Sequence, residues 1–462
     1  MSEIAAPTGL LDRAIRRITS VWREMASGVG RDDDDSIEAQ MRACLAGRGG
    51  EVSARNRAAK LAETYLRLDA EERHQFLRTL AGFDADQDAV ETALAELQSA
   101  NDATQRARAQ MRLRRALEPR RIRLLTQFTT IPDGIKFLVD LRATVLDMMA
   151  NDPELVALDA DLRGLLANWF DVGFLELRRI DWSSPATLLE KLVGYEAVHE
   201  IRSWRDLKNR LDSDRRCYAF FHPRMPDEPL IFVEVALVKG IAGNVQQLLD
   251  EKAPLQDPHS ADTAIFYSIS NCHRGLSGIS FGNFLIKRVV GLLSDEFRNL
   301  KTFATLSPVP GFRRWLDTRL AEGLPGFFSE EENAVIRAAA PGEHPTPEAA
   351  LAAILAERGW YRNANLVRAV EAPVLRLCAR YLLQESRGKR ALDPVAHFHL
   401  TNGARLERIN ILGDRSEKGA RESATVMVNY LYDPAKIEEY HEAYVGEGRR
   451  HASSAVRRLL RS

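Results

Sequence analysis

The stretch from Thr263 to Phe312, TAIFYSISNCHRGLSGISFGNFLIKRVVGLLSDEFRNLKTFATLSPVPGF, constrains the fold more than any other part of the chain. An apolar, β-rich run covers Thr263 to Ile269. A turn dotted with Gly275, Gly278 and Gly282 follows. From Asn283 to Arg298 the apolar residues Phe284, Leu285, Val289, Leu292, Leu293 and Phe297 recur at helical spacing. A second short run, Lys301 to Leu306, ends at Ser307-Pro308. Strand, glycine loop, helix and strand make a βαβ unit whose loop opens a helix. Backbone N–H groups and the helix dipole at such a point attract an anion. Glycines let the backbone come close to a phosphate.

The flanking sequence divides in two. From about residue 8 to 170 the chain reads as helix almost throughout, an up-and-down bundle with short links. Leu10, Ile15, Ile18 and Trp22 form a first apolar face, Asp69 to Glu72 resembles a capping box, and Ile135, Leu138, Val139, Arg142, Leu146 and Met149 form a later stripe. Farther on, Arg216–His222, Pro229–Val238, Val395–Leu400, Leu406–Leu412 and Thr425–Tyr432 read as strands, with helices at Gly240–Lys252, Glu330–Ala340, Pro347–Gly359 and Asn363–Gln384. The expected division is a helical domain over 1–175 and a mixed α/β domain over 176–462.

Composition sets limits on partners. A net charge of −1 over 462 residues offers no global attraction to nucleic acid or membrane, and no run is long enough to span a bilayer. The basic cluster from Arg106 to Arg123 lacks interleaved aromatics and reads as a solvated or subunit-contacting face. Cys44, Cys217, Cys272 and Cys378 lie far apart without a CxxC pair, which predicts free thiols in a reducing compartment, here the cytoplasm, and no zinc site. The amphipathic N-terminus carries Glu3, Asp12 and Glu24 and reads as a helix rather than a transit peptide. Leu460-Arg461-Ser462 is not a peroxisomal signal.

Three local patterns carry possible chemistry. Gly278-Ile279-Ser280-Phe281-Gly282 matches the G-x-S-x-G nucleophile elbow of hydrolases. Few strands precede it, no HGGG-type segment lies upstream, and the glycines begin too early, so a phosphate cradle fits better. Ser307 stands where a strand runs into Pro308 and Pro310, either as a turn serine or as a fixed polar contact in a pocket. His397 and His399 would share one face of a strand, as structural residues, a metal pair without a third ligand, or one acid–base histidine.

Taken together, TAIFYSIS, GLSGISFGNFLIKRVV, LSPVPGF, VAHFHLTNG and MVNYLY resemble the malonyl-CoA decarboxylase family, in matching order over most of the C-terminal half. The resemblance implies a helical bundle followed by a domain of the N-acetyltransferase superfamily (GNAT) fold, and release of carbon dioxide from malonyl-CoA to give acetyl-CoA without metal or cofactor. It implies Ser307 and His399 as the catalytic pair, from the LSP and FHL motifs. Arg274, Gly275, Ser277, Gly278, Ile279, Ser280, Phe281, Gly282 and Asn283 would form the substrate-binding loop. A homo-oligomer, dimer or tetramer, is implied as well. The competing readings are an acyl-CoA-dependent N-acetyltransferase, a thioesterase or hydrolase working through Ser280, and a non-enzymatic CoA-sensing or scaffold protein built on the helical half.

Overall fold

The computed structural model describes residues 20–26, 36–46, 50–279, 282–324 and 327–460. The apolar face at Leu10, Ile15 and Ile18, the aspartates before Ser36, and Ser280 and Phe281 lie outside them.

Helices fill the first part: α1 Ile37–Leu45, α2 Glu51–Arg67, α3 Ala70–Ala81, α4 Gln87–Ser99, α5 Ala103–Ala116, α6 Arg120–Phe128, α7 Gly134–Met148 and α8 Leu155–Trp169. Their starts follow the side chains available. Asp69 accepts from the Glu72 amide while Glu72 reaches back, the full capping box, and Ser36, Asp86 and Asp102 cap α1, α4 and α5. The core gathers around Phe137, with edge-on rings of Trp22 and Tyr65 at 5.5 Å each. Part of the basic cluster is not a solvated face. Arg121 is buried, with Nε 2.6 Å from Asp161 and Nη1 donating to the Ala81 carbonyl at 2.7 Å.

The rest is built on one sheet. Its strands are β1 Glu176–Ile180, β2 Arg215–His222, β3 Met225–Val238, β4 Thr263–Asn271, β5 Thr302–Thr305, β6 Ser307–Pro308, β9 Arg405–Asn410 and β10 Met427–Leu431, while β7 Ser386–Arg387 and β8 Arg390–Ala391 make a separate ribbon. The order is β1-β2-β3-β4-β5-β10, with β6 and β9 also on β10. Among the described strands only β4 and β5 pair in parallel, joined through α12 Gly282–Glu296, which matches the expected βαβ unit. The packed side of the sheet nearest the helical part holds α12, α13 Phe312–Glu322 and α16 Ala364–Leu383. On the other side lie α9 Ala186–Tyr195, α10 Trp204–Arg210 and α11 Val245–Leu248. The chain also forms α14 Glu330–Ala339, α15 Pro347–Ala356, α17 Pro394–Thr401, α18 Glu417–Ser423, α19 Ile437–Glu447 and α20 Ser454–Leu459.

Two strands part in the middle of this sheet. The β4–β5 register runs from Thr263 against Thr302 to Phe266 against Thr305, and the Leu306 amide makes the last rung on the Phe266 carbonyl at 2.9 Å. Beyond it β4 continues to Asn271 on β3 alone, while β6 pairs with β10. On the β3 side the register slips between Glu234/Ser268 and Val235/Phe266, leaving Tyr267 as an extra residue. Such a bulge bends its strand and increases the local twist. It sits at the residue after the last rung.

Two expected elements differ. Helix within Gly240–Lys252 is confined to Val245–Leu248. Val395–Leu400 is not a strand but lies in α17, with Pro394 at its first turn and Asp393 accepting from the Val395 and Ala396 amides at 3.0 and 2.9 Å. The alternating polar pattern mimics a strand, and the Asp-Pro start overrides it.

The glycine loop is clamped from the helical part. Arg142 on α7, 2 % exposed, donates Nη1 to the carbonyls of Gly275 at 2.7 Å and Ser277 at 2.9 Å, while its Nε meets Asp159 of α8 at 2.8 Å. A Cβ at Gly275 would lie 1.8 Å from the Val139 carbonyl, so glycine is required there by the approach of α7. Replacing Arg142 by Met strands two loop carbonyls and the Asp159 carboxylate. We expect a loss on the order of 3 kcal/mol, the scale for breaking a buried ion pair. Amide exchange over residues 275–279 should accelerate, and unchanged exchange in the folded variant would show that Arg142 does not hold the loop.

Candidate active site

Where β5 passes into β6, alternation along the extended chain puts Thr305 and Ser307 on one side. Both are buried. Ser307 Oγ lies 3.0 Å from His399 Nε2 and 2.9 Å from Thr305 Oγ1, whose oxygen also accepts the Tyr430 amide at 3.2 Å. His399 comes from α17, and its Nδ1 is 2.8 Å from the hydroxyl of Tyr432 at the end of β10. Its ring stacks on Tyr430 with centroids 4.5 Å apart and planes at 24°. Serine and histidine are therefore brought together, though from a strand and a helix rather than from adjacent strand ends.

Counting protons assigns the tautomer. Among the described residues the Tyr432 hydroxyl meets only His399 Nδ1, and it is buried. If Nδ1 carried the proton, a buried phenol O–H would have no acceptor, at a cost of about 1–3 kcal/mol. The phenol therefore donates to Nδ1, and Nε2–H donates to Ser307 Oγ. The Ser307 hydroxyl proton is left to point at Thr305 Oγ1 or at a bound molecule. Burial pushes the His399 imidazolium down to about 3 and raises the Tyr432 phenol. The ring is neutral at neutral pH.

His397 does not join this site. Two residues apart on a helix are not on one face, and His397 Nδ1 instead meets Tyr444 on α19 at 2.9 Å. Of the expected loop residues, Arg274 to Ile279 lie in the segment leading to α12. Arg274 pairs with Asp147 at the surface, Gly275 and Ser277 receive Arg142, and the Gly278 carbonyl accepts from Arg163 at 3.2 Å. Gly278 has φ 76°, the left-handed region that favours glycine, and Ile279 packs against the main core. Gly282 and Asn283 begin α12.

Sequence reading missed Thr305, Tyr430, Tyr432 and Arg142. The i, i+2 spacing of Thr305 with Ser307, and of Tyr430 with Tyr432, was the available signal, because each pair shares a face of a strand.

Comparison with known proteins places the chain beside proteins of one kind. The family model described as malonyl-CoA decarboxylase C-terminal domain matches residues 173–462, and that described as malonyl-CoA decarboxylase N-terminal domain matches residues 83–170. The mitochondrial malonyl-CoA decarboxylase of Mus musculus is 38% identical over 408 residues, 85% of this chain and 82% of that protein. The crystal structure of malonyl-CoA decarboxylase from Rhodopseudomonas palustris superposes with a TM-score of 0.83 at 43% identity, covering 92% of this chain and 99% of that one. The enzyme from Agrobacterium vitis gives 0.82 at 42% identity, with 92% and 99% covered.

The depressed His399 value has a stability consequence. Below the ordinary histidine value near 6.5 the unfolded chain takes a proton that the folded chain refuses until pH about 3. Its contribution is therefore present above pH 6.5 and lost as pH falls through that window, by about 1.4 kcal/mol per unit. His399→Asn should flatten the fall of stability between pH 6 and 4 in denaturant titrations. An unaltered slope would mean that the buried ring is protonated in the folded protein.

Proposed function

The chain belongs to the malonyl-CoA decarboxylase family, and from that premise we propose that Ser307, His399 and Tyr432 form the chain of hydroxyl and imidazole groups that handles the malonyl group. The protein converts malonyl-CoA to acetyl-CoA and carbon dioxide. The single observation that carries the assignment of roles is the 3.0 Å contact between Ser307 and His399 in a buried site.

The reaction breaks the bond between the α-carbon and the carboxylate. Its electron pair passes into the thioester as an enolate, carbon dioxide leaves, and one proton must reach the α-carbon. The thioester stabilises that charge, and donors aimed at its oxygen lower the barrier. With Nε2 protonated, His399 is no base toward Ser307, so the serine acts as a donor and not as a nucleophile. Ser307 gives its proton to the α-carbon. His399 Nε2–H replaces it and Tyr432 passes its own to Nδ1, so the negative charge left by the departing carboxylate rests briefly on the Tyr432 oxygen. Because burial raises that phenol, a proton from solvent enters at Ser307 when product leaves and the chain shifts back. No imidazolium forms at any stage, in keeping with the burial that opposes it. Thr305 holds the serine hydroxyl at rest.

Substrate binding follows from the sheet. The domain is GNAT-like, and the pantetheine arm enters between β4 and β6, where Tyr267 to Asn271 has no ladder partner on that side among the described residues. The loop from Arg274 to Asn283 and the start of α12 take the pyrophosphate, for the dipole reason given above. The exposed apolar side chains of Leu94, Met111 and Leu117 support a homo-oligomer, dimer or tetramer, formed through the helical domain. The four free, buried cysteines suit a reducing compartment such as the cytoplasm.

Ser307→Ala and His399→Asn should each lower kcat by roughly 10²–10³, the effect of losing one transition-state donor, with KM for malonyl-CoA little changed. Groups acting as a unit are non-additive, so the double variant should be no worse than the poorer single one. His397→Asn and Ser280→Ala should keep most activity. Carbon dioxide, acetyl-CoA and free thiol are followed together on variants first shown to be folded. A folded His399→Asn with near-normal kcat, or an inactive His397→Asn, would overturn the assignment.

A further inference from the structure

Ser307 and His399 are brought together by segments far apart in the chain, so their contact depends on how α17 sits against the turn after Ser307. That turn is fixed at Val309, whose amide donates to Ser423 Oγ of α18 at 3.1 Å. It is fixed again two residues later. Asp393, fully buried, accepts the Gly311 amide on Oδ2 at 3.4 Å while Oδ1 caps α17 through the Val395 and Ala396 amides. The Tyr381 hydroxyl of α16 also lies against Gly311 beside this carboxylate and helps to hold its charge. All three segments are pressed onto it. A Cβ at Gly311 would lie 2.4 Å from the Tyr381 hydroxyl and 3.6 Å from Asp393 Oδ2.

A helix cap explains only half of this. Capping needs one side-chain oxygen, and serine, threonine or asparagine supplies it equally well. Burying a carboxylate costs free energy unless each oxygen is matched, and burial raises the Asp393 carboxyl to about 6. The second oxygen is spent on the turn that carries Ser307. We propose that Asp393 is a positioning residue for the reaction: by fastening the start of α17 to Gly311 it sets the distance between His399 Nε2 and Ser307 Oγ. This rests on the roles given above to Ser307 and His399. At 1.5 Å per residue His399 stands about 9 Å along the helix from Asp393, so a small tilt at the tie displaces the ring. Displacements of about 1 Å at reacting groups cost up to about 100-fold in rate.

Asp393→Asn separates the two jobs. Its oxygen still caps α17, while the amide nitrogen now faces the Gly311 N–H, donor against donor. Asp393→Ser keeps the cap and is too short to reach the turn. Each should fold, keep KM for malonyl-CoA within about twofold, and lose kcat by about tenfold or more. In the His399→Asn background Asp393→Asn should cost nothing further, because it acts through that ring. An unchanged kcat in folded Asp393→Asn, a loss confined to KM, or an undiminished loss in the His399→Asn background would each overturn the proposal. If Asp393→Asn does not fold, Tyr381→Phe removes one partner of the carboxylate and spares the cap. A several-fold fall in kcat at constant KM is then expected, and no fall overturns the proposal. Failure of the underlying reading looks different: His399→Asn alone would keep its kcat, whatever Asp393 does.

Discussion

The parting of β4 from the strand beside it is the constraint on which the site depends. A parallel ladder holds the two together as far as Phe266 and Leu306, and then each strand finds its partner elsewhere. The bulge at Tyr267 bends β4 away, while Ser307 and Pro308 are held by Met427 and Val428 of β10. Proline at 308 has no amide to give a ladder, so the strand is short for a chemical reason as well as a geometrical one. The parted half of β4 is not left loose. β3 holds one edge, and Glu196 accepts the hydroxyls of Ser268 at 2.8 Å and Ser270 at 3.3 Å. Opposite the bulge, the buried Glu234 accepts from Arg210 Nη1 at 3.1 Å, so the bend is backed by a buried hydrogen bond as well as packing.

Burial then decides the protonation of the histidine beside Ser307. A histidine with no carboxylate at its far nitrogen cannot hold a second proton in an apolar setting, and Tyr432 supplies a neutral partner instead. A phenol that donates fixes which nitrogen is bare, and in the mechanism proposed above this makes the serine a hydroxyl donor rather than a nucleophile awaiting a base. Stacking on Tyr430 holds the ring in that plane, on a helix whose start is capped by Asp393. The order of cause runs from a tyrosine at a strand end, to a tautomer, to the direction of one serine proton.

Much of the fold was legible from pattern, and the site less so. The βαβ unit was readable because a continuous apolar, β-rich run gives way at the glycine turn to apolar residues at helical spacing. The helical first part was readable from its stripes and caps. The segment holding His399 was misread because polar and apolar residues alternate in VAHFHL, whereas Asp393-Pro394 is itself a helix start. Local start signals outweigh a short alternation. Thr305, two residues from Ser307, was within reach of local alternation, but His399 and Tyr432 could not be placed beside Ser307 by spacing, since they meet it only in the fold. Gly275 was singled out for backbone approach to a phosphate, whereas the close neighbour it has is the Val139 carbonyl of α7, and no pattern within one segment carries that information.

That close approach changes how the helical part should be regarded. The loop before α12 turns so sharply that the Gly275 and Ser277 carbonyls cannot enter a ladder, and both end at Arg142. A buried carbonyl without a donor is costly, and an apolar side chain at 142 would supply none. Arginine offers several N–H groups in one plane, which suits two acceptors a few residues apart. Its own charge must then be matched, and Asp159 from the next helix does so at 2.8 Å. Each requirement calls for the next, from loop to guanidinium to carboxylate. The α7–α8 pair therefore completes the loop physically, and the shape of that loop is settled jointly by the two parts of the chain.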